Sequence, residues 1–210
     1  MNVKQILFFL VMVIPLDSSS KKITNAFVCD RNIFLQDDEH HLIQITKAKM
    51  DTMPLISKSK KFMIYLRYRK SLYLSQIIRY DFATKKETIL VEASENNSAI
   101  STPISYARSY DYPFNCLGEI EKIMLSPNED RIYFQATAWV VSAAIHYYSF
   151  SKKNIYFFHA GDLRDIRSNG SVEVQVTFSQ CTKGSWCRYW QDCLFDVNGK
   201  KIKNLGRKYS

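Results

Sequence analysis

Short runs in which apolar and polar residues alternate follow one another along the chain after residue 24. A period of two puts the apolar side chains on one face of a β-strand, and polar turn formers bound each run. The predicted strands are 32–35, 42–46, 62–67, 72–80, 87–91, 120–125, 131–136, 144–150, 154–158, 172–178 and 201–205. Only 136–145 is ambiguous, because its alanines suit a helix, although its surroundings favour a hairpin limb. The pattern predicts an all-β fold.

Two parts of the chain repeat one another. The stretch "SKSKKFMIY" from Ser57 falls on "SPNEDRIYF" from Ser126, 69 residues later, and "IIRYDF" (77–82) falls on "IHYYSF" (145–150) with a slip of one residue. Strand-turn-strand units with paired basic residues begin at Tyr80, Tyr148 and Leu194, and a looser one begins at Ile33. Each block of roughly 40 residues predicts four antiparallel strands, which is the unit of a β-propeller.

These blocks resemble the blades of TolB-type and WD-like β-propeller repeat proteins. In the TolB pattern an apolar strand leads to a Ser-Pro-Asp-Gly-Lys turn, and a later strand ends in Asp before a Thr-Gly turn. Here Asn128-Glu129 occupies the Asp-Gly position, Thr84-Lys85 the Thr-Gly position, and Asn198-Gly199 is kept. The resemblance covers about residues 50–162 and, more loosely, 24–46 and 171–206. It implies a propeller fold and leaves the activity open, since many functions share these motifs.

The length limits the number of blades. Residues 21–210 are predicted to form one β-propeller-like domain, with room for at most about four blades of ~40 residues. A small or incomplete ring, an open arc and a two-sheet sandwich all fit. Residues 93–119 are predicted to be a loop-rich insertion or an eroded blade. In a closed ring, strands 24–46 would lie beside the C-terminal blade and seal it.

The first twenty residues have the order of a secretory signal peptide. Lys4 precedes an apolar run from Ile6 to Leu16, and Asp17 and three serines follow it. This run is too short to span a bilayer, and no later stretch reaches ~20 apolar residues. The mature protein is therefore expected to be periplasmic or secreted and not membrane-spanning.

The net charge of +9 persists after cleavage of residues 1–20, which removes one lysine and one aspartate. A basic surface keeps a protein soluble or meets acidic partners, here anionic envelope polymers, phospholipid head groups or an acidic protein. Nucleic acid is not expected, because the chain is predicted to be exported and has no binding motif of that kind.

Five cysteines remain after residue 20, and export makes disulfides the default expectation. These candidates are Cys29, Cys116, Cys181, Cys187 and Cys193. Their spacing lacks the two-to-four-residue step of a zinc site. A bridge between Cys181 and Cys193 across a hairpin is the favoured pairing. The odd number leaves one thiol over, and the connectivity cannot be deduced from the sequence.

No catalytic motif of the common hydrolase, metalloprotease or phosphate-binding types is present. The run "DDEHH" (37–41) is the only dense group of acids and imidazoles, but it lies between two strands, where such residues are ordinary turn formers. His146 is expected in or beside the core and His159 in a loop. The sequence predicts a non-enzyme without metal or cofactor.

Loop aromatics are the better candidates for a binding surface, because Tyr and Arg dominate interface hot spots. The candidates are Tyr106, Arg108, Tyr110, Tyr112 and Phe114 in "YARSYDYPF", with Trp139 at a hairpin tip. The alternative is that these aromatics tuck under the core. The leading hypothesis is an exported protein that binds another protein, such as a periplasmic immunity protein of a type VI secretion system. A TolB-like envelope scaffold and a degenerate hydrolase-associated domain are the alternatives.

Overall fold

The computed structural model describes residues 22–69, 75–93, 100–101, 117–139, 142–182 and 185–208. Within these ranges the chain consists of strands and connecting turns, so the predicted all-β fold is confirmed. The described residues include no helix that could span a bilayer. The predicted signal segment 1–20 lies outside the described ranges.

The strands form four sheets, numbered here I to IV along the chain. Sheet I contains β1 (Ile23–Cys29), β2 (Asn32–Asp37) and β3 (Leu42–Gln44). Sheet II contains β4 (Asp51–Ile56), β5 (Phe62–Tyr68), β6 (Ser75–Asp81) and β7 (Glu87–Glu92). Sheet III contains β8 (Ile100–Ser101), β9 (Ile120–Leu125), β10 (Arg131–Trp139), β11 (Ser142–Ser149) and β12 (Asn154–Ala160). Sheet IV contains β13 (Asp162–Ile166), β14 (Val172–Thr182), β15 (Ser185–Phe195) and β16 (Lys201–Lys208).

Consecutive strands pair antiparallel in each sheet, as blades do, and β8 alone adds in parallel to the outer edge of β12. The first strand of each sheet contacts the neighbouring sheet: β1 contacts β4, β4 contacts β9, and β9 contacts β13. The four sheets therefore succeed one another around an axis. They form an incomplete, open propeller, in which sheet I packs on sheet II and, among the described residues, no strand of sheet I pairs with the C-terminal sheet.

Three apolar clusters fill the three spaces between successive sheets. Between sheets I and II lie Ile33, Leu35, Met63, Tyr65 and Ile78. Between sheets II and III lie Phe62, Ile64, Leu66, Ile77, Ile132 and Phe134 with their neighbours. Between sheets III and IV lie Tyr133, Ile145, Phe158, Leu163, Val172 and Val174 with theirs. Alternate residues of β5 and β10 thus face opposite neighbours, which is why both strands are nearly continuous apolar runs.

The predicted repeat is visible in the backbone hydrogen bonds of the turns. The Ser57 amide donates to Phe62 O and the Ser126 amide donates to Arg131 O, at the expected spacing of 69. Lys60 and Glu129 occupy the same left-handed position in the two turns, with φ of 55° and 59°. After the slip of one residue, the Lys85 amide donates to Asp81 O as the Lys153 amide donates to Ser149 O.

Six hairpin turns of sheets II to IV lie at one end of the molecule. The C-terminal ends of β4, β9 and β13 meet around the axis, so the turns that follow these strands share that end. In an antiparallel sheet of four strands, the turn after the third strand lies beside the turn after the first. We call the turns 57–61, 82–86, 126–130, 150–153, 167–171 and 196–200 the turn face.

Some elements differ from the sequence expectations. The alternation pattern missed β1, β4, β13 and β15, and it found no strand in 93–119, where Ile100 and Ser101 form β8. These strands are polar at many positions or interrupted by Pro54, so their periodicity is weak. The ambiguous stretch 136–145 contributes to the β10–β11 hairpin, as favoured above. His159 is a strand residue of β12, so its assignment to a loop was wrong.

The predicted disulfide between Cys181 and Cys193 is also wrong. The β14–β15 register places Cys181 opposite Trp186 and Cys193 opposite Val174, which precedes Cys181 by seven positions in β14. At about 3.3 Å per residue, this separation exceeds the ~7 Å Cα distance that a disulfide tolerates. Cys193 is a free, buried thiol in the cluster between sheets III and IV, and Cys29 is a free, exposed thiol at the end of β1.

Candidate binding site

A cavity of about 460 Å³ opens on the axis where the innermost strands end. All four sheets contribute to its wall. The lining residues are Thr24, Asn25, Ala26, Pro54, Leu55, Ile56, Lys58, Met124, Leu125, Ser126, Asp165 and Ile166. The first strands of sheets II, III and IV (β4, β9 and β13) end at the mouth of the cavity, and β1 of sheet I begins there.

The charged groups of this wall are one ammonium and one carboxylate. The ammonium of Lys58 donates to Pro127 O at 3.1 Å, and its backbone amide donates to the Glu129 carboxylate. These contacts tie the first turn of sheet II to the first turn of sheet III. The rest of the wall is aliphatic or carries small polar groups, which suits an apolar or extended segment of another chain.

A second pocket of about 250 Å³ lies between the turns of sheets III and IV. The Arg131 guanidinium crosses it, donating to Val197 O at 2.5 Å and lying 4.7 Å from the centre of the Tyr147 ring. Tyr133 is buried in the same wall, and burial raises the pKa of its hydroxyl. Because Arg131 already joins the two sheets, this pocket is held in shape by the fold.

A network of ionisable side chains crosses sheet II on the side that faces sheet I. Arg67 donates from Nε to the buried carboxylate of Asp51 at 2.7 Å and from Nη1 to Glu87 at 2.7 Å. The Tyr65 hydroxyl donates to Glu87 at 2.5 Å. The hydrogen bond from Arg67 lowers the pKa of Glu87, and burial raises that of Tyr65. Every charge has a partner, so this network joins β4, β5 and β7 and is not poised for proton transfer.

His146 was expected in or beside the core, and the structure confirms this, because it is 1% exposed. It stacks on Phe134 at 5.5 Å and meets Phe157 edge-on at 5.6 Å. Burial lowers its pKa to about 4, so the imidazole is neutral at physiological pH. Burial also lowers the pKa of His159, which lies 4.3 Å from Phe195.

The "DDEHH" run forms the β2–β3 turn. The Oδ1 atom of Asp37 accepts the amides of Glu39 and His41, and Asp196 accepts the amides of Asn198 and Lys200 in the same way. Ligand atoms of Asp37, Glu39 and His41 lie within 4.8 Å of one another, close enough for a cation. Because Asp196 builds the same turn without histidine, backbone hydrogen bonds explain the geometry of Asp37.

Comparisons with known proteins show which known fold the chain shares. No family model matches the chain, and no curated protein matches it. TolB of Agrobacterium tumefaciens matches in structure with a TM-score of 0.55 and 14% identity, over 85% of this chain and 57% of that one. The β-propeller domain of the Trilobed protease from Pyrococcus furiosus matches with a TM-score of 0.54 and 12% identity, over 83% and 49%.

The chain has the fold of a TolB-type β-propeller. It spans about half the length of the TolB and Trilobed protease chains that it matches. The tricorn protease also matches, with a TM-score of 0.55 and 12% identity, over 85% of this chain and 15% of the protease. At these identities the similarity concerns the fold.

Of the predicted binding residues, Trp139 alone lies in a described segment. It is the last residue of β10 and pairs with Ser142 across the hairpin. Tyr106, Arg108, Tyr110, Tyr112 and Phe114 lie outside the described residues, as does Cys116, so their binding role stays a prediction. Sequence analysis did not predict the axial cavity, because its lining comes from short segments of four sheets that no single motif connects.

Proposed function

We propose that the protein is an exported, non-catalytic β-propeller that binds another protein and acts as a scaffold in the cell envelope. The axial cavity supports this proposal most directly, since its walls combine aliphatic side chains with few charges. The TolB-like fold favours a scaffold, and the predicted signal segment favours the periplasm. Residues 93–119, which follow sheet II, are the second candidate contact region.

The chemistry of the described residues supports a role without catalysis. The cavity wall contains no histidine or cysteine, and its single carboxylate belongs to Asp165. His146 is buried between the rings of Phe134 and Phe157, and Arg67 forms ion pairs with two carboxylates. Both groups stabilise the sheets, and neither is free to exchange protons as acid–base catalysis requires.

A role as an immunity protein is the second candidate. Its support is the predicted export of a small chain without common catalytic motifs, which fits a protein that neutralises a secreted toxin. In that case a toxin gene would adjoin this gene, and deletion would be harmless when the toxin is absent. A scaffold instead predicts an envelope-stress phenotype on deletion.

The test is a cross-linked pull-down from periplasmic extract at moderate salt, followed by mass spectrometry. Moderate salt removes partners held only by the net charge of +9. Recovery of envelope proteins is the expected result. Stoichiometric recovery of a single toxin would instead establish the immunity role, and turnover of a substrate by the purified protein would overturn the non-catalytic proposal.

The position of the binding site is tested with a pair of substitutions at the cavity mouth, Asn25→Arg and Asp165→Arg. Both side chains are exposed and line the cavity, so two bulky cations there should weaken capture of the partner without unfolding the protein. The matched control is Thr177→Arg with Asp30→Arg, which adds the same charge at exposed positions that do not line the cavity. If both double variants captured the partner equally well, the binding site would not be the axial cavity.

A further inference from the structure

The turn face carries most of the net charge of the protein. Its six turns contain nine lysines and arginines against three carboxylates, a balance of +6 of the +9 carried by the whole chain. The cations are Lys58, Lys60, Lys61, Lys85, Lys86, Lys152, Lys153, Arg167 and Lys200. The repeat generates this concentration, because a lysine pair recurs at the outer turns: Lys85-Lys86, Lys152-Lys153 and Lys200-Lys201.

The lysines of the turn face are exposed. No described carboxylate forms an ion pair with them. The three acids of the turn face are engaged locally: Glu129 accepts the Lys58 amide, Asp130 accepts the Ser126 hydroxyl, and Asp196 accepts turn amides. Arg167 pairs with Glu173 at 3.3 Å, whereas the charges of the eight lysines are not neutralised within the described molecule.

The turns also share one end of the molecule, so their charges act together. Direct contacts join neighbouring turns, including Lys58 Nζ to Pro127 O and Arg131 Nη1 to Val197 O. The Phe150 amide donates to Asp130 O, which connects the outer turn of sheet III to its inner turn. Three rigid sheets thus present their turn lysines toward the same side.

We propose that the turn face is a docking surface for an anionic lipid bilayer. The proposal goes beyond protein binding at the axial cavity and does not depend on it. Exposed lysines near a membrane are attracted by the summed potential of anionic head groups and need no specific geometry. Several turns at one end of an arc of packed sheets can approach a flat surface together, whereas a curved or narrow partner would reach only some of them.

Other polyanions fit these residues less well. Protein interfaces are depleted in lysine at their cores, and the turn face is rich in lysine. Single-stranded nucleic acid binds where bases stack on exposed aromatics. The aromatic residues of the six turns are Phe82 and Phe150, and both pack against the intersheet clusters. A surface that has exposed lysines and no exposed aromatic residues is best suited to bind a diffuse, planar anionic surface.

The β2–β3 turn of sheet I lies at the same end, because β1 begins at the cavity mouth and β2 returns to it. This turn carries Asp38 and Glu39, which are exposed. The basic region is therefore an arc over sheets II to IV and not a complete ring. We expect the bound protein to approach the membrane with sheets II to IV first.

The test is co-sedimentation of residues 21–210 with vesicles of phosphatidylcholine alone and of phosphatidylcholine mixed with phosphatidylglycerol. Binding is expected only to the anionic vesicles, and it should fall steeply as salt is raised. Replacing one pair, as in Lys85→Gln with Lys86→Gln or Lys152→Gln with Lys153→Gln, should weaken partitioning by about thirtyfold at about 0.1 M salt.

The matched control is Arg31→Gln with Lys47→Gln, which removes two exposed charges at the opposite end of sheet I and in the following connection. It should weaken binding by less than about threefold, since these charges lie beyond a Debye length of ~10 Å from the docked surface. Equal losses in the control and the turn-face variants would overturn the proposal. So would binding to neutral vesicles, or displacement by polyglutamate or an oligonucleotide at a lower charge concentration than vesicles require.

Discussion

At the residue scale, polar side chains in the intersheet spaces decide how the protein responds to pH. His146 lies between two phenylalanine rings in the space between sheets II and III, where a positive charge is strongly disfavoured. The Arg67 network lies in the space between sheets I and II, where each charge has an opposite partner. Protonation of His146 in acid therefore lowers the stability of the protein, whereas the Arg67 network continues to stabilise it while its carboxylates stay ionised.

We predict that His146 makes the protein sensitive to acid. Its pKa is lowered from 6.5 to about 4, so between these values the unfolded chain binds more protons and stability falls with decreasing pH. From pH 7.5 to pH 5 this loss amounts to about 2 kcal/mol. Urea unfolding at both pH values measures it, and His146→Phe should reduce the difference by that amount. A pH difference unchanged in His146→Phe would assign the acid sensitivity to other groups.

At the element scale, hairpin turns and sheet-to-sheet connections determine where each blade begins. Ser126 illustrates the turn: its amide donates to Arg131 O while its hydroxyl accepts the Arg131 amide, and Ser57 does the same with Phe62. Gly161 illustrates the connection from sheet III to sheet IV. Its φ is +132°, and a Cβ there would lie 2.5 Å from Gln175 O.

We predict that Gly161→Ala destabilises the protein by more than Gly206→Ala does. Gly206 also has a positive φ, +152°, but nothing lies within 4 Å of an added Cβ, so its substitution incurs only the backbone strain of ~1–3 kcal/mol. Gly161→Ala adds a collision with a strand backbone that cannot move without disturbing β14. The free energies of unfolding in urea give the comparison, and equal losses would show that sheet IV shifts to accommodate the methyl group.

The elements that the sequence predicted are those whose alternation is strong. The segment 120–125 was predicted with the bounds of β9, and the repeat from Ser57 to Ser126 located the turns, because turn residues and period-two patterns are local signals. β13 and β15 were not predicted, because charged and polar residues interrupt the alternation of apolar and polar positions in these strands. The axial cavity and the register that separates Cys181 from Cys193 depend on how distant segments pair, and a single sequence does not specify that pairing.

At the scale of the whole molecule, an open arc has unequal ends. Sheets II and III are packed on both faces by apolar clusters, whereas sheet I contributes to one cluster and its strands β1 and β3 are largely exposed. In arrays where each unit packs only on its neighbours, stability is the sum of unit and interface terms. Sheet I should therefore open at a lower free energy than the centre of the arc.

Hydrogen exchange measured by mass spectrometry tests this expectation. Amides of β1 and β3 should exchange well before those of β5 and β10, which lie in sheets covered on both faces. Ile33→Ala truncates a fully buried side chain between sheets I and II, at a cost of ~2–5 kcal/mol, and should speed exchange in sheet I while leaving sheet IV unchanged. Val174→Ala, at an equally buried position between sheets III and IV, should do the reverse. If either substitution speeds exchange equally in all four sheets, the arc unfolds as one cooperative unit and its stability is not a sum over neighbouring blades.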